Sequence, residues 1–173
     1  MGAYLWRKGI IQKPVPPLVR QPMVFDPDLG GMMISPTCWA AALSSWLKAT
    51  RNVDRSVDYI VGFFRHYVTS KGLDLSQFGE IAEALFVRMD YEEVDRADLS
   101  WDYLWWKLEE SAIYLILENA NPAHALVLYA ISEDRAGTQE VWLVDPIQGM
   151  RAGSLREFQK RSPTFLVGVA RKG

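Results

Sequence analysis

Two patterns of apolar residues divide the chain. Between about positions 35 and 110, apolar side chains recur at intervals of three and four residues, which is the period of an amphipathic helix. Beyond that position they form short continuous runs bounded by turn residues, which is typical of strands in a buried sheet. Helices that precede an antiparallel sheet, rather than alternating with strands, indicate an α+β fold.

The first predicted helix is apolar on nearly all sides, so we expect it to be buried. It runs from Ser35, a good N-cap residue, to about Thr50, and Pro36 fits its first turn. Three more helices are predicted to follow the cap residues Ser56, Ser76 and Ser100.

The strands are predicted from the apolar runs in the second half of the chain. They cover residues 112–117, 124–131, 140–145 and 165–170, with turns at 134–137 and 146–149 and a short helix after Ser154.

The first 34 residues have a different character. Six of the nine prolines lie within the first 36 residues, at positions 14, 16, 17, 22, 27 and 36. Proline removes a backbone donor and restricts the residue before it, so we predict an extended, irregular segment over 1–34. It would serve either as a linker or as a strap across the domain formed by 35–173.

Charge and composition exclude several classes of function. The 19 basic and 21 acidic residues give a net charge of −2, and neither sign is concentrated in one run. This argues against nucleic acid or a membrane as the main partner. The start of the chain does not resemble a signal peptide, and no stretch is long and apolar enough to span a bilayer, so we expect a soluble protein. We predict neither a cofactor nor a metal ion.

The only cysteine, Cys38, falls in the first turn of the first predicted helix. Free backbone N–H groups at a helix start favour an anion, and this is one of the settings that lowers the pKa of a thiol. Most lone cysteines are buried apolar residues, so a neighbouring base has to decide between the two interpretations.

The chain has two histidines. His66 falls within the second predicted helix and is interpreted as a structural or surface residue. His124 stands where a loop meets a strand, a favoured place for catalytic groups. Asp145 ends the next strand, so antiparallel pairing could bring its carboxylate to the imidazole. Asp before proline is also a common turn signal.

These residues occur in the order Cys, His, Asp, and the chain resembles a papain-like cysteine peptidase. The segment Cys38-Trp39-Ala40-Ala41 resembles the nucleophile motif of bacterial papain-like effector proteases. The segments 124–128, 144–149 and 154–158 resemble the bacteriocin-processing peptidase domains of ABC exporters, which cut after double-glycine leaders. The similarity covers roughly residues 35–170.

The resemblance implies a papain-like fold, with the nucleophile helix in an N-terminal helical lobe packed on a C-terminal antiparallel sheet. It makes Cys38 the nucleophile, His124 the base and Asp145 the residue that orients His124. The oxyanion would be held by the backbone N–H of Cys38 and by a side-chain donor.

The side-chain donor departs from the family pattern. In these peptidases a glutamine usually lies about six residues before the cysteine, and loss of such a donor costs about 100- to 1,000-fold in rate. Position 32 is Met, and the nearest upstream glutamine, Gln21, is 17 residues away. Gln21 could serve only if residues 22–34 form an inserted loop. Asn119, Asn121 and Ser35 are other candidates.

The implied function is a cysteine endopeptidase that acts on a protein or peptide. A small domain with the Cys-Trp-Ala-Ala motif resembles bacterial toxins and effectors, which suggests delivery into a target cell by a signal-independent route and an immunity protein as partner. Cleavage would follow small residues, and Gly30-Gly31 is either a self-cleavage site or a plain turn. The alternatives are a leader-processing peptidase, a deamidase or acyltransferase using the same triad, and a non-catalytic peptide-binding homologue.

Overall fold

The computed structural model describes residues 9–26, 31–34, 37–69, 72–73, 76, 80, 83, 88–117 and 124–171. The helices are α1 (Cys38–Arg51), α2 (Val57–Phe63), α3 (Trp101–Glu110) and α4 (Leu155–Gln159), with a 3₁₀ turn at Arg65–Tyr67. The strands are β1 (Ile10–Gln12), β2 (Met23–Asp26), β3 (Gly31–Ile34), β4 (Val68–Thr69), β5 (Gly72–Leu73), β6 (Met89–Asp95), β7 (Ile113–Leu117), β8 (His124–Glu133), β9 (Gln139–Asp145), β10 (Gly149–Ser154) and β11 (Thr164–Ala170).

A seven-stranded antiparallel sheet forms the centre of the fold. Its order is β10-β9-β8-β7-β11-β6, and β1 pairs with the second half of β8. Alternate residues of β8 point to opposite faces of this sheet, so the strand contributes to two cores. Ala125 and Val127 pack with α1, whereas Leu126 and Leu128 pack with α3 and α4. The predicted α+β fold, with the nucleophile helix on an antiparallel sheet, is confirmed.

Helix α1 is buried along most of its length, as its apolar sequence predicts. Trp46 is fully buried, and its indole Nε1–H donates to the carbonyl of Ala112 at 2.8 Å, which ties α1 to the start of β7. The predicted helix start is wrong by a few residues. Thr37, not Ser35, occupies the N-cap position, because the Thr37 carbonyl accepts the first helical N–H groups.

Three predicted serine caps are confirmed by hydrogen bonds to the third residue after them. Ser56 Oγ accepts from Tyr59 N at 3.1 Å, and Ser100 Oγ accepts from Tyr103 N at 3.2 Å. Ser154 caps α4 in the same way. Helix α2 ends at Phe63, earlier than predicted, and His66 is exposed on the 3₁₀ turn that follows. The predicted helix after Ser76 falls largely outside the described residues.

Two strands of the large sheet carry no strand signal in the sequence. β6 is an edge strand paired with β11, and only Met89 and Val94 of its seven residues are buried. β10 is the opposite edge strand, paired with β9, and its residues are mostly exposed. Edge strands of this kind need few apolar residues because one side of each faces solvent.

Residues 9–22, which we call the strap, lie against the domain. β1 joins the sheet, and Lys13 N donates to the carbonyl of Tyr129 at 2.8 Å. Ser45 Oγ on α1 donates to the carbonyl of Pro17 at 2.6 Å. Further along, Arg20 Nη1 donates to the carbonyl of Ile147 at 2.8 Å. The strap therefore runs from the sheet, past α1, to the turn that follows β9.

Trp106 on α3 is 60% exposed, and Lys107 Nζ lies 5.1 Å from the centre of its ring. Of the helices in the described ranges, none has the length and apolar character needed to cross a membrane.

Candidate active site

Cys38 is the first residue of α1 and is partly buried. This end of the helix faces His124, with which Cys38 interacts. Tyr114 of β7 contacts the start of α1, where its hydroxyl donates to the carbonyl of Trp39 at 3.0 Å. Burial, and to a smaller extent the nearby Cys38, raise the pKa of Tyr114 well above its usual value. The phenol therefore stays protonated and holds the start of α1 against β7.

His124 and Asp145 meet because β8 and β9 are antiparallel neighbours. The register pairs Val127 with Val144, so the first residue of β8 and the last residue of β9 lie at the same end of the sheet. His124 Nε2 is 2.9 Å from Asp145 Oδ1. The Asp145 side chain is fully buried and that of His124 is 11% exposed, so the pair is well shielded from water.

Asp145 lies beside the imidazole and also starts a turn. Its Oδ1 also accepts hydrogen bonds from the backbone N–H groups of Ile147 at 2.9 Å and Gln148 at 3.1 Å, so the same oxygen starts a turn and contacts the imidazole. Burial alone would raise the pKa of this carboxyl group. The hydrogen bond from His124 and the backbone donors outweigh burial and hold the pKa of Asp145 at about 2.

His124 is correspondingly a strong base. Burial lowers its pKa, but the hydrogen bonds and charges of Asp145 and Cys38 outweigh burial and raise the pKa of His124 to about 9. An ionised carboxylate only accepts hydrogen bonds, so Nε2 of His124 carries a proton and donates it in the hydrogen bond to Asp145 Oδ1. The other ring nitrogen, Nδ1, is then the one that can exchange a proton with the thiol. A cationic imidazole held beside a thiol at neutral pH is the arrangement that nucleophilic cysteine chemistry requires.

Gln21 was expected to serve as oxyanion donor only if the residues after it form an insertion, and a hairpin lies there. Strands β2 and β3 form a hairpin in which Met23 pairs with Ile34. Gln21 lies two residues before Met23, and Cys38 lies four residues after Ile34, so the hairpin shortens the spatial separation between them. Gln21 N also donates to the carbonyl of Pro146 at 3.4 Å, directly after the catalytic aspartate candidate.

The other donor candidates differ in what can be said of them. The backbone N–H of Cys38 lies at the helix start, one of the positions that have no intrahelical acceptor. Ser35, Asn119 and Asn121 lie outside the described residues. His66 is exposed on its 3₁₀ turn.

Arg151 is a neighbour of the site that the sequence did not reveal. It lies on β10 opposite Leu143, and its Nη2 is 3.4 Å from Asp145 Oδ2. Its Nη1 donates to the side chain of Gln148. The glycine-rich sequence of β10 carries no strand pattern, so the local sequence did not predict that this arginine lies beside Asp145. Among the described residues, no cluster of three histidine, cysteine or carboxylate side chains could hold a metal ion.

Comparisons with known proteins bear on the fold. No protein-family model matches the sequence, and no curated protein matches it either. Several solved structures do match, and two peptidase domains are among them. The peptidase domain of Streptococcus ComA, a bifunctional ABC transporter involved in quorum sensing, has a TM-score of 0.56 at 15% identity and covers 88% of this chain and 100% of its own. A double-glycine-motif protease from an AMS/PCAT transporter, solved with a leader peptide, has a TM-score of 0.50 at 16% identity and covers 91% and 97%. The resemblance seen in the sequence is thereby confirmed for the fold: the chain has the papain-like fold of double-glycine peptidase domains.

Proposed function

We propose that the chain is a cysteine endopeptidase with Cys38 as nucleophile, His124 as base and Asp145 as the group that orients His124. The observation that carries the proposal is the buried contact of 2.9 Å between His124 Nε2 and Asp145 Oδ1. The same imidazole interacts with Cys38 at the start of α1. The fold shared with known peptidase domains supports the same activity.

The reaction follows from the protonation states. The Cys38 thiolate attacks the substrate carbonyl carbon, and the negative charge moves to the carbonyl oxygen. The C–N bond then breaks as the His124 imidazolium gives its proton to the leaving amine, which leaves a thioester. Water attacks the thioester while His124 takes a proton from it, and the C–S bond breaks. The carboxylic acid product leaves, and the Cys38 thiolate and the His124 imidazolium are regenerated.

The decisive experiment removes the nucleophile. Cys38→Ala should abolish cleavage of a substrate peptide and labelling by a thiol-directed epoxide, because Cys38 is the only cysteine in the chain. A double-glycine leader peptide is a suitable first substrate. Cleavage by Cys38→Ala at the wild-type rate would refute the proposal.

His124→Ala tests the base separately. At neutral pH it should slow alkylation of Cys38, because the cationic neighbour that favours the thiolate is lost. His66→Ala is the matched control and should leave the alkylation rate unchanged, since His66 is exposed on the 3₁₀ turn. Equal rates in His124→Ala and wild type would remove His124 from the mechanism.

Gln21 is the side chain that we propose as oxyanion donor, with the Cys38 backbone N–H as its partner. The hairpin of β2 and β3 supports this role, because it makes residues 23–34 an insertion between Gln21 and the helix start. Gln21→Ala should lower kcat by about 100- to 1,000-fold with a smaller change in KM, since the donor acts mainly on the developing charge. Gln12→Ala, at an exposed position of β1, is the control. Equal kcat values in the two variants would exclude Gln21.

For the substrate we propose a peptide or protein cut after small residues, because glycine lets the backbone enter a narrow cleft. The protease from the AMS/PCAT transporter was solved with a leader peptide, which favours leader processing as the second candidate function. A peptide ending in Gly-Gly before the cut should be cleaved faster than one with two valines there. Equal rates would contradict this preference.

Self-cleavage at Gly30-Gly31 is a separate prediction. Gly31 begins β3, opposite Asp26, while Gly30 lies outside the described residues. Intact mass spectrometry should show a shortened wild-type chain and a full-length Cys38→Ala chain. An uncut mass in both would leave the pair as a plain turn.

The toxin role, with an immunity protein as partner, stays a prediction from the Cys-Trp-Ala-Ala motif. Deamidation and acyl transfer would use the same thioester but another acceptor or acyl donor. Mass analysis of the product separates them. Hydrolysis of a backbone amide cuts the substrate and adds the elements of water, deamidation leaves the chain uncut, and acyl transfer joins the acyl group to the acceptor. A peptide-binding homologue without activity would bind the leader peptide and leave it intact.

A further inference from the structure

A pocket lies on the face of the sheet opposite α1, and Arg151 connects its lining to Asp145. It has a volume of about 150 Å³ and is lined by residues of β9, β10 and α4 and by Arg161. Its apolar wall is formed by Val141, Leu143 and Phe158, which belong to the core on that face. The volume is roughly ten times what a single water molecule requires, so a small ligand fits.

Two arginines line this pocket with N–H groups that lack partners. Arg151 Nε and Arg161 Nη1 are each buried and have no hydrogen-bond partner within the part of the chain that is described. Leaving a buried polar group unpaired is costly, and more so for a charged one. Both arginines line the same pocket. Burial, and then the charge of Arg151, lower the pKa of Arg161, whereas the charge of Asp145 acts in the opposite direction.

The nearby carboxylates do not satisfy these groups. Asp145 approaches Arg151 through Nη2, at 3.4 Å from Oδ2, and its other oxygen is occupied by His124 and two backbone N–H groups. Glu157 lines the pocket, but its carboxylate accepts from Lys160 Nζ at 2.7 Å. Arg161 otherwise stacks over Phe158, with the guanidinium carbon 5.7 Å from the ring centre. The unpaired groups therefore form a small positively charged site with an apolar wall.

We propose that this pocket binds a small oxyanion, a phosphate or carboxylate group, through Arg151 and Arg161. Guanidinium groups offer several N–H donors in one plane and suit both kinds of anion. Binding of an anion at this pocket would not depend on peptidase activity. The pocket shares Arg151 with the environment of Asp145, so the two sites are in contact through that side chain.

The test is isothermal titration calorimetry of the full chain with inorganic phosphate, and separately with acetate, at constant ionic strength set by chloride. Saturable binding of either anion is expected, and preference for one tells a tetrahedral from a planar ligand. Arg161→Met, which keeps an apolar side chain against Phe158, should weaken binding by about tenfold or more, as expected for losing a charge-assisted hydrogen bond. Arg156→Gln is the matched control, because Arg156 is exposed on α4 and does not line this pocket.

Absence of saturable binding in wild type, or equal affinities in Arg161→Met and Arg156→Gln, would overturn the proposal. A second variant tests the site even if the fold does not tolerate a change at Arg161. Glu157→Gln removes an exposed negative charge beside the pocket and should tighten phosphate binding by up to about fivefold. Unchanged or weaker binding in Glu157→Gln would also count against the site. None of these readouts uses peptidase activity, so they stand whether or not the chain proves to be a peptidase.

Discussion

Asp145→Asn isolates the charge that sets the protonation state of His124. An asparagine keeps an oxygen that can accept from the backbone N–H groups of Ile147 and Gln148, so the turn is retained while the negative charge is lost. In the wild type the pKa of His124 is about 9, against an ordinary value of 6.5. In the variant, burial is opposed only by Cys38, so the pKa of His124 should fall well below 9.

The size of the effect follows from these values. A rise in pKa from 6.5 to about 9 corresponds to about 3 kcal/mol of favourable interaction with the imidazolium, to which Asp145 and Cys38 both contribute. Since the folded-state pKa is raised, this stability is fully present below pH 6.5 and is lost as the pH rises through 9. The pKa of Asp145 is lowered from 3.8 to about 2, so its part is present above pH 3.8 and is lost as the pH falls through 2.

Two measurements check the prediction. NMR titration of the imidazole C–H signals should show one histidine titrating near pH 9, and His66→Gln assigns it, because the chain has only two histidines. Urea unfolding should give a free energy that declines by up to about 3 kcal/mol between pH 6 and pH 9.5 in wild type, with a clearly smaller decline in Asp145→Asn.

Asp134→Asn is the matched control. Asp134 also starts a turn, with its Oδ1 accepting from Ala136 N and Thr138 N at 2.8 Å each, but it lies at the opposite end of β9. This variant should leave the pKa of His124 unchanged. The reasoning is refuted if His124 of the wild type titrates near 6.5, or if both aspartate variants shift its pKa equally.

Three further predictions concern stability, each measured by chemical denaturation. Gly168→Ala should cost about 1–3 kcal/mol of unfolding free energy, because a Cβ there would lie 2.3 Å from the sulfur of buried Met89. Combining it with Met89→Ala should relieve the clash, and strictly additive effects of the two changes would contradict this. Trp46→Phe should cost about 2–4 kcal/mol, because it shrinks a fully buried side chain and removes its hydrogen bond, and a loss below about 1 kcal/mol would argue against that role. Gly149→Ala should cost about 1–2 kcal/mol, because φ is +87°, whereas Gly153→Ala, with nothing near its added Cβ, should change little; equal effects would refute the strain argument.

Much of the fold could be predicted because its signals are local. Helix α1 is apolar on nearly all sides, and Ser56, Ser100 and Ser154 cap their helices through contacts spanning three residues. The central strands are continuous apolar runs because both of their faces are buried. The edge strands escaped prediction for the opposite reason, since β6 buries only two side chains and β10 is mostly exposed.

For the site, local sequence patterns were enough to name the candidate residues and their places on elements: Cys38 in the first turn of a helix, His124 at a strand start and Asp145 at a strand end. Which atoms meet depends on tertiary pairing. The strand register places Nε2 of His124 against Oδ1 of Asp145, and the pairing of β2 with β3 forms a hairpin between Gln21 and α1. The tertiary structure also places Arg151 beside Asp145, across β9 and β10. Residue patterns report short-range preferences, whereas these contacts depend on pairing between distant segments, which no local pattern encodes.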